Sequence, residues 1–306
     1  MKKRKKPEDG AVREITILNP TAGKGRAEGA GCYVTKDVGD CRRFVARECE
    51  KDPLVHFSVV GGDGTLNEAV SGIMDAKAGS AASITAIPHG SGNDTVKTTD
   101  TYAPGTELAV DLITVGDRVY SINMLNIGFD CNVVERAGRY KKVHGVSGNF
   151  SYILGVGREF FSKFGVRFTI KAELEDGSIF EFDEDALLCA VANGQWCGGS
   201  FHNSPMSDMT DGTVEMILVR KMSRLNFIRM IGHYKKGTLI SEEHGGVMPK
   251  YRNWVIFKRI RKMTISGCRQ ICTDGEVFPC ESAEIGIAPG AIKYVVGGTA
   301  NVPETV

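Results

Sequence analysis

Apolar and polar positions divide this chain into two patterns. Residues 13–18, REITIL, form a short β-rich run that Asn19-Pro20 ends. YVT at 33–35 is a second brief extended segment, and 40–51 sets Phe44, Val45 and Ala46 among charges as a short helix would. HFSVV at 56–60 is a buried type of strand running straight into Gly61-Gly62. LNEAVSGIMDA at 66–76 places Leu66, Ala69, Val70 and Ile73 at helical spacing, and SITAIP at 83–88 is the next strand. This β-α-β-α-β order predicts a parallel, helix-covered sheet over the first ~110 residues.

After Ala109 the pattern changes. Alternating runs recur at 109–115, 118–124, 166–174, 178–182, 186–192, 213–219, 263–266, 270–273, 276–278 and 284–287, with Asp176-Gly177 and Asp211-Gly212 as turn pairs. Short alternating runs between turn signals predict antiparallel strands. Segments 148–164 and 222–239 interrupt them as expected helices. The expected fold is therefore α/β plus all-β: a small three-layer parallel-sheet domain, then a larger antiparallel β-sandwich. The expected bounds are a basic tail at 1–12, the α/β domain at 13–115, the β-rich domain at 116–298, and a tail at 299–306 returning to the first domain.

Composition narrows the class. At 42% apolar and 25% charged the chain is globular in type, which excludes wholesale disorder. Its 38 basic and 37 acidic residues leave a formal charge of +1, so no global field steers nucleic acid, and no nucleic-acid partner is expected. The nine cysteines are odd in number, irregularly spaced and without a C-x-x-C pair, which points to reduced thiols rather than disulfides or a zinc knuckle. No run approaches the roughly 18 apolar residues of a spanning helix. MKKRKKPEDG leads into no apolar core, so a cytoplasmic protein is expected. The basic tip, Lys2 to Lys6, is either a solvated tail or a peripheral contact with an anionic membrane, at roughly 1 kcal/mol per basic residue.

Thirty-seven glycines are the unusual count, and they concentrate where chemistry is expected. NPTAGKG (19–25), GGDGTLNE (61–68) and PHGSGND (88–94) each follow a predicted strand of the first domain. In a parallel sheet the loops at the carboxyl ends of the strands share one edge, where ligands bind. Such turns offer bare N–H groups to an anion. Lys24 is either a phosphate contact or a solvated turn lysine, because the first loop lacks the spacing of a Walker loop. GGDGT is more pointed: glycines allow close approach to phosphate, Asp63 can orient magnesium-bound water, and Thr65 can donate to phosphate or cap a helix.

These three loops, in this order, resemble the catalytic domain of diacylglycerol kinases and their relatives, the sphingosine, ceramide and soluble bacterial lipid kinases. SINMLNIGFDCNV (121–133), ANGQWCGGSFHNSPMSDMTDG (192–212) and TDGE (273–276) are similar to later motifs of that family. The resemblance runs over roughly residues 13–298. It implies an ATP-dependent lipid kinase that phosphorylates a lipid alcohol at the membrane surface, with diacylglycerol the favoured acceptor. ATP and magnesium are the implied cofactors.

By the same resemblance, Asn19, Lys24, Gly62, Gly64, Thr65, Ser91, Gly92, Asn93 and Asp274 would bind the nucleotide. Asp63, Asp94 and Asp111 would form a network around the catalytic magnesium, Asp63 also counting as catalytic. Glu276 would take the proton of the lipid hydroxyl. From the sequence alone Glu276 is equally a solvated turn carboxylate and Asp111 an exposed strand-end aspartate. Asp211, with the carbonyls of Asp208 and Thr213, resembles a structural magnesium corner, the alternative being a plain hairpin turn. Phe129, Phe150, Tyr152, Leu154, Phe160 and Phe161 are candidate acceptor contacts, or core residues of a helix.

Only RAEGAGC separates Gly25 from Tyr33, too short for the first crossover helix that the family has. A sheet edge left open there favours a homodimer. Two other functions stay in view: an NAD kinase, which shares GGDGT, and a nucleotide- or lipid-binding protein without catalysis.

Overall fold

The computed structural model describes residues 12–23, 31–141, 158–160 and 164–297. The chain separates into two compact units, Met1–Val110 with Gly290–Val306, and Asp111–Pro289. These bounds stand beside the expected ones at 115/116 and 298/299. The chain passes from one unit to the other within strands, so no linker composition marks the change.

In the first unit β1 (Arg13–Leu18), β2 (Tyr33–Val34), β3 (Val55–Gly61) and β4 (Ser83–Pro88) form a parallel sheet in the order β2-β1-β3-β4. Helices α1 (Asp40–Lys51), α2 (Asp63–Asp75) and α3 (Asp94–Thr99) follow β2, β3 and β4. β3 is buried along nearly its whole length, as a parallel strand covered on both faces must be. Gly72 lets α1 and α2 pack closely, since a Cβ there would sit 2.5 Å from the carbonyl oxygen of Arg42. β2 pairs with β1 over only two positions, Ile17 with Tyr33 and Leu18 with Val34. The shortened crossover falls largely outside the described residues.

The second unit takes up the chain within β5 (Glu107–Val115). It continues through β6 (Val119–Ser121), β7 (Met124–Gly128), α4 (Phe129–Lys141), β8 (Val166–Leu174), β9 (Ile179–Ala192) and β10 (Val214–Arg220). Then come α5 (Arg224–Lys236), the short pair β11 (Ile240–Ser241) and β12 (Gly246–Val247), β13 (Val255–Ser266), β14 (Gln270–Thr273), β15 (Glu276–Pro279) and β16 (Ser282–Val295). Among the described residues, the pairings of β5–β6, β7–β9, β7–β14, β8–β9, β8–β13, β9–β10, β10–β13, β11–β12, β13–β16 and β14–β15 are all antiparallel. The α/β-then-β-sandwich fold expected from the pattern is the fold observed.

Alternation along β7, β9 and β10 feeds two cores. Leu125, Ile127, Cys189, Val191, Met216 and Leu218 face the sandwich interior with Phe168, Ile170, Met263 and Ile285. Their neighbours Met124, Leu188, Ala190, Ile217 and Val219 face the opposite way, onto Phe129, Phe227, Met230 and Tyr234 of α4 and α5. β9 is one strand where two were expected. Its exposed Asp183-Glu184-Asp185 breaks the apolar pattern but not the ladder, because β8 still pairs with that stretch.

β16 leaves the second unit and ends beside β4, parallel to it, with Lys293 opposite Ser83 and Tyr294 opposite Ile84. Thr85 Oγ1 fastens it by donating to the Val295 carbonyl at 2.9 Å. Helices α3 and α4 were not expected. Both begin inside motifs whose polar residues hide the apolar spacing. The expected helix at 148–164 lies mostly outside the described residues, as do Lys2 to Lys6, Lys24, Phe150, Tyr152, Leu154 and Phe161. All nine cysteines are free thiols. Among the described residues no helix is long and apolar enough to cross a membrane.

Candidate functional site

In the first unit the three glycine loops touch one another at the carboxyl ends of β1, β3 and β4. Asn19, directly after β1, donates from Nδ2 to Thr65 Oγ1 of the second loop at 2.8 Å. Its Oδ1 accepts from Thr21 N at 3.0 Å and Thr21 Oγ1 at 2.8 Å, so Asn19 both bends its own loop and ties it to the next. Gly23, at φ +72°, has room only for hydrogen: a Cβ there would come 2.6 Å from the carbonyl oxygen of His89 in the third loop.

The second and third loops meet backbone to backbone. A Cβ on Gly90 would lie 2.5 Å from Gly62 Cα. Asn93 sits in the left-handed region at φ 54° and clamps its loop with both side-chain atoms. Its Oδ1 accepts from Gly90 N and its Nδ2 donates to Gly90 O, each at 2.9 Å. Strained backbone held by such a clamp is typical of ligand loops.

Asp63 caps α3 from another loop. Its Oδ1 accepts the amide of Asp94 at 2.7 Å and that of Thr95 at 3.4 Å. Its other oxygen lies 2.6 Å from the point a Gly92 Cβ would occupy, and Asp94 Oδ2 lies 3.3 Å from that point. Two carboxylates thus converge on a hollow that any larger residue at 92 would fill. Asp94 is buried and carries Lys97 Nζ at 3.4 Å. A hard divalent cation held mainly through waters fits this donor pair. Gly64 differs from its neighbours in having no atom within 4 Å of its absent Cβ. Ser91 is exposed and Thr65 buried.

The second unit holds the other expected residues in two places. Thr273-Asp274-Gly275-Glu276 is a two-residue hairpin between β14 and β15, with φ 46° at Asp274 and 92° at Gly275. Positive φ at both central residues is the type I′ turn that suits strand twist. The Asp274 carboxylate accepts four hydrogen bonds: Ser121 Oγ and Ile122 N at 2.8 Å, Met124 N at 2.9 Å and Asn123 N at 3.1 Å. Asp274 thereby pins the hairpin to the β6–β7 connection, and Glu276 stands exposed at the head of β15.

The other place is the corner at 208–213. Asp111, fully buried, accepts from Gly212 N at 2.6 Å and donates its own amide to Met209 O at 2.8 Å. Asp208 Oδ1 accepts from Thr210 N and Oγ1, and Asp211 Oδ1 accepts from Thr213 N and Oγ1, the latter both at 2.8 Å. Each is a closed local turn. Among the described residues no three His, Cys, Asp or Glu side chains gather closely enough to hold a metal. Asp63 and Asp94 are brought together, whereas Asp111 is brought to this corner.

Three further residues matter to which the motifs assign no role. Asn193, fully buried, donates from Nδ2 to Asp111 O at 2.8 Å and to Ile122 O at 2.7 Å, joining the corner to the segment that Asp274 holds. Ser121 is one of the Asp274 donors. Glu215, 1% exposed, faces Arg259 at 3.5 Å, and burial pushes its carboxyl up to about 7. A lone acid inside the apolar run VEMILV was the available signal for Glu215.

Residues 30–124 match the family profile described as diacylglycerol kinase catalytic domain, and 123–296 that described as YegS C-terminal NAD kinase beta sandwich-like domain. A protein of Yersinia enterocolitica named probable lipid kinase YegS-like is 29% identical over 209 residues, 63% of this chain and 67% of its own. A probable lipid kinase YegS of Salmonella schwarzengrund is 25% identical over 305 residues, 94% of this chain and 92% of its own. A crystal structure titled as a diacylglycerol kinase from Bacillus anthracis shares the fold, with a TM-score of 0.64 at 17% identity, covering 94% of this chain and 98% of that one.

Proposed function

Because the chain belongs to the diacylglycerol kinase family of YegS type, a family of kinases acting on lipid alcohols, we propose that it transfers the γ-phosphate of ATP to the hydroxyl of diacylglycerol, giving phosphatidic acid and ADP. The observation that supports this reading best is the convergence of Asp63 and Asp94 on the Gly92 hollow, inside three interlocked glycine loops.

In this reading the amides of Gly62 and Gly64, with Thr65, Ser91 and Lys24, meet the phosphates, while Asn19 and Asn93 hold the loops in shape. Phosphoryl transfer asks a protein chiefly for position and charge neutralisation. Magnesium, when bound, supplies the neutralisation. Asp63 and Asp94 would hold it, largely through waters. Glu276 accepts the hydroxyl proton as the lipid oxygen bonds to phosphorus, and ADP leaves. Asp274 acts one step back: fixed by four donors, it sets the direction in which β15 presents Glu276.

The deciding experiment incubates the purified chain and magnesium with γ-labelled ATP and, separately, diacylglycerol, ceramide, sphingosine and NAD. Label in phosphatidic acid is expected, dependent on magnesium. Label in ceramide or sphingosine alone would move the acceptor. Label in NAD alone would replace the lipid reading, and label in nothing would leave a binding protein.

A further inference from the structure

Helix α5 carries an unusual outer face. Its inner side is apolar and packed, with Phe227, Met230 and Tyr234 buried. Leu225, Ile228, Arg229, Gly232 and Lys236 recur at the spacing of a single helical stripe, and all five are exposed. Leu225 and Ile228 are 57% and 53% exposed, two branched side chains one turn apart. Single exposed aliphatics are ordinary on a protein surface. At a membrane surface, exposed aliphatics can enter the acyl boundary while neighbouring cations meet anionic headgroups. No acidic residue occurs anywhere in α5, RLNFIRMIGHYKK.

Beside that stripe lies a pocket of about 410 Å³ lined by Asn226, Arg229, His233, Lys250, Tyr251 and Trp254. One of its cations, Lys250, is held in place. Lys250 Nζ donates to His233 Nε2 at 2.9 Å, and His233 Nδ1 is 2.9 Å from Thr238 Oγ1. Burial, then the ammonium groups of Lys250 and Lys236, keeps the His233 ring below its ordinary pKa, and Nε2 accepts because an ammonium can only donate. Lys250 also lies 4.9 Å from the centre of the Tyr251 ring. The pocket thus offers one fixed cation, Lys250, a second and exposed one, Arg229, and the half-buried Trp254, a residue type found where headgroups meet hydrocarbon.

We propose that the outer face of α5 and this pocket form a docking surface for an anionic phospholipid bilayer. A headgroup phosphate occupies the pocket between Arg229 and Lys250, and Leu225 and Ile228 enter the acyl boundary. Charge complementarity selects this occupant. A second copy applying the same face would set Arg229, Lys236 and Lys250 against themselves, since a two-fold contact is self-complementary. The surface lies on the second unit and does not depend on the chemistry of the acceptor, because vesicle binding is measured without ATP.

The test is co-sedimentation of the full chain with vesicles of phosphatidylcholine alone and of phosphatidylcholine with phosphatidylglycerol in equal parts. Binding to the anionic vesicles only, weakening with salt, is expected. Arg229→Gln with Lys250→Gln is expected to weaken partition about 25-fold, two basic groups each contributing about a factor of five. Leu225→Ser with Ile228→Ser should weaken it comparably, with melting temperatures unchanged in both variants. Ile179→Ser, an exposed aliphatic on the β8–β9 hairpin, should bind as wild type. Equal binding to neutral vesicles, an equal loss in Ile179→Ser, or wild-type binding by both double variants overturns the proposal. Release from vesicles by inorganic phosphate at constant ionic strength would make the pocket a soluble-phosphate site instead. A dimer in light scattering that Leu225→Ser with Ile228→Ser abolishes would assign the face to a second copy.

Discussion

The amide of Asp94 donates to the Asp63 carboxylate at 2.7 Å, so the acid of the second glycine loop caps the helix that follows the third. One side chain thereby serves two ends: Oδ1 holds α3, and Oδ2 faces the Gly92 hollow. Substitution can separate them. Asp63→Asn keeps an oxygen for the cap and loses the charge. It is expected to melt like wild type and to turn over at least about 100-fold more slowly. Asp63→Ala loses the cap as well, at about 1 kcal/mol. Thermal melts beside steady-state rates over a magnesium titration check both. Normal turnover in Asp63→Asn would remove the carboxylate from the chemistry.

Gly64 gives a cleaner separation of stability from binding. Its absent Cβ has nothing within 4 Å, and it lies in the first turn of α2. Gly64→Ala should therefore leave stability unchanged or raise it by about 0.5–1 kcal/mol, as alanine replaces glycine in a helix. Nucleotide affinity should fall, because the added methyl stands where phosphate is expected. Gly90→Ala behaves oppositely: its Cβ would meet Gly62 Cα at 2.5 Å, and a loss of about 1–3 kcal/mol is expected. Calorimetric titration with an ATP analogue and denaturant melts distinguish them. Wild-type affinity in Gly64→Ala would show that phosphate does not approach there.

That contrast marks what sequence could and could not show. Three glycine loops on one sheet edge were legible, because strand order alone brings them together. Which glycines serve packing and which leave space was not legible: Gly62 and Gly64 stand in one motif, and only the neighbouring loop tells them apart. Asp274, a nucleotide contact by resemblance, also accepts hydrogen bonds from four donors at 121–124, a long-range pairing that no local spacing announces. Helix α4 was hidden for a related reason. It starts at Phe129, directly after Gly128 at φ 85°, inside a motif read only for its polar residues.

Asp274 and Glu276 are two residues apart and should fail differently. Asp274→Ala orphans buried donors around 121–124, at about 1–3 kcal/mol for each that finds no water. A marked fall in melting temperature is expected, with turnover lost alongside it. Glu276→Gln removes an exposed acid and should melt like wild type while turnover falls roughly 100- to 10,000-fold. ATP affinity should stay near normal in that variant. Near-normal turnover in Glu276→Gln would take the base role from it, and an unchanged melt in Asp274→Ala would contradict the keystone role.

Glu215 predicts a pH dependence of stability. Burial raises its carboxyl from the usual carboxylate range to about 7, against the opposing pull of Ser207 and Arg259. A folded-state pKa above the unfolded one means that the fold favours the protonated form. Its contribution to stability is therefore complete below pH ~4.3 and is lost as pH rises to about 7, where the folded protein itself begins to ionise at this buried position. Glu215→Gln presents a neutral side chain of similar shape at every pH. It should match the wild type near pH 4 and exceed it above pH 8 by on the order of 3–4 kcal/mol. Paired denaturant melts across that range test this. A gap between the two proteins that does not widen with pH would mean that Glu215 is ionised and paired with Arg259 throughout.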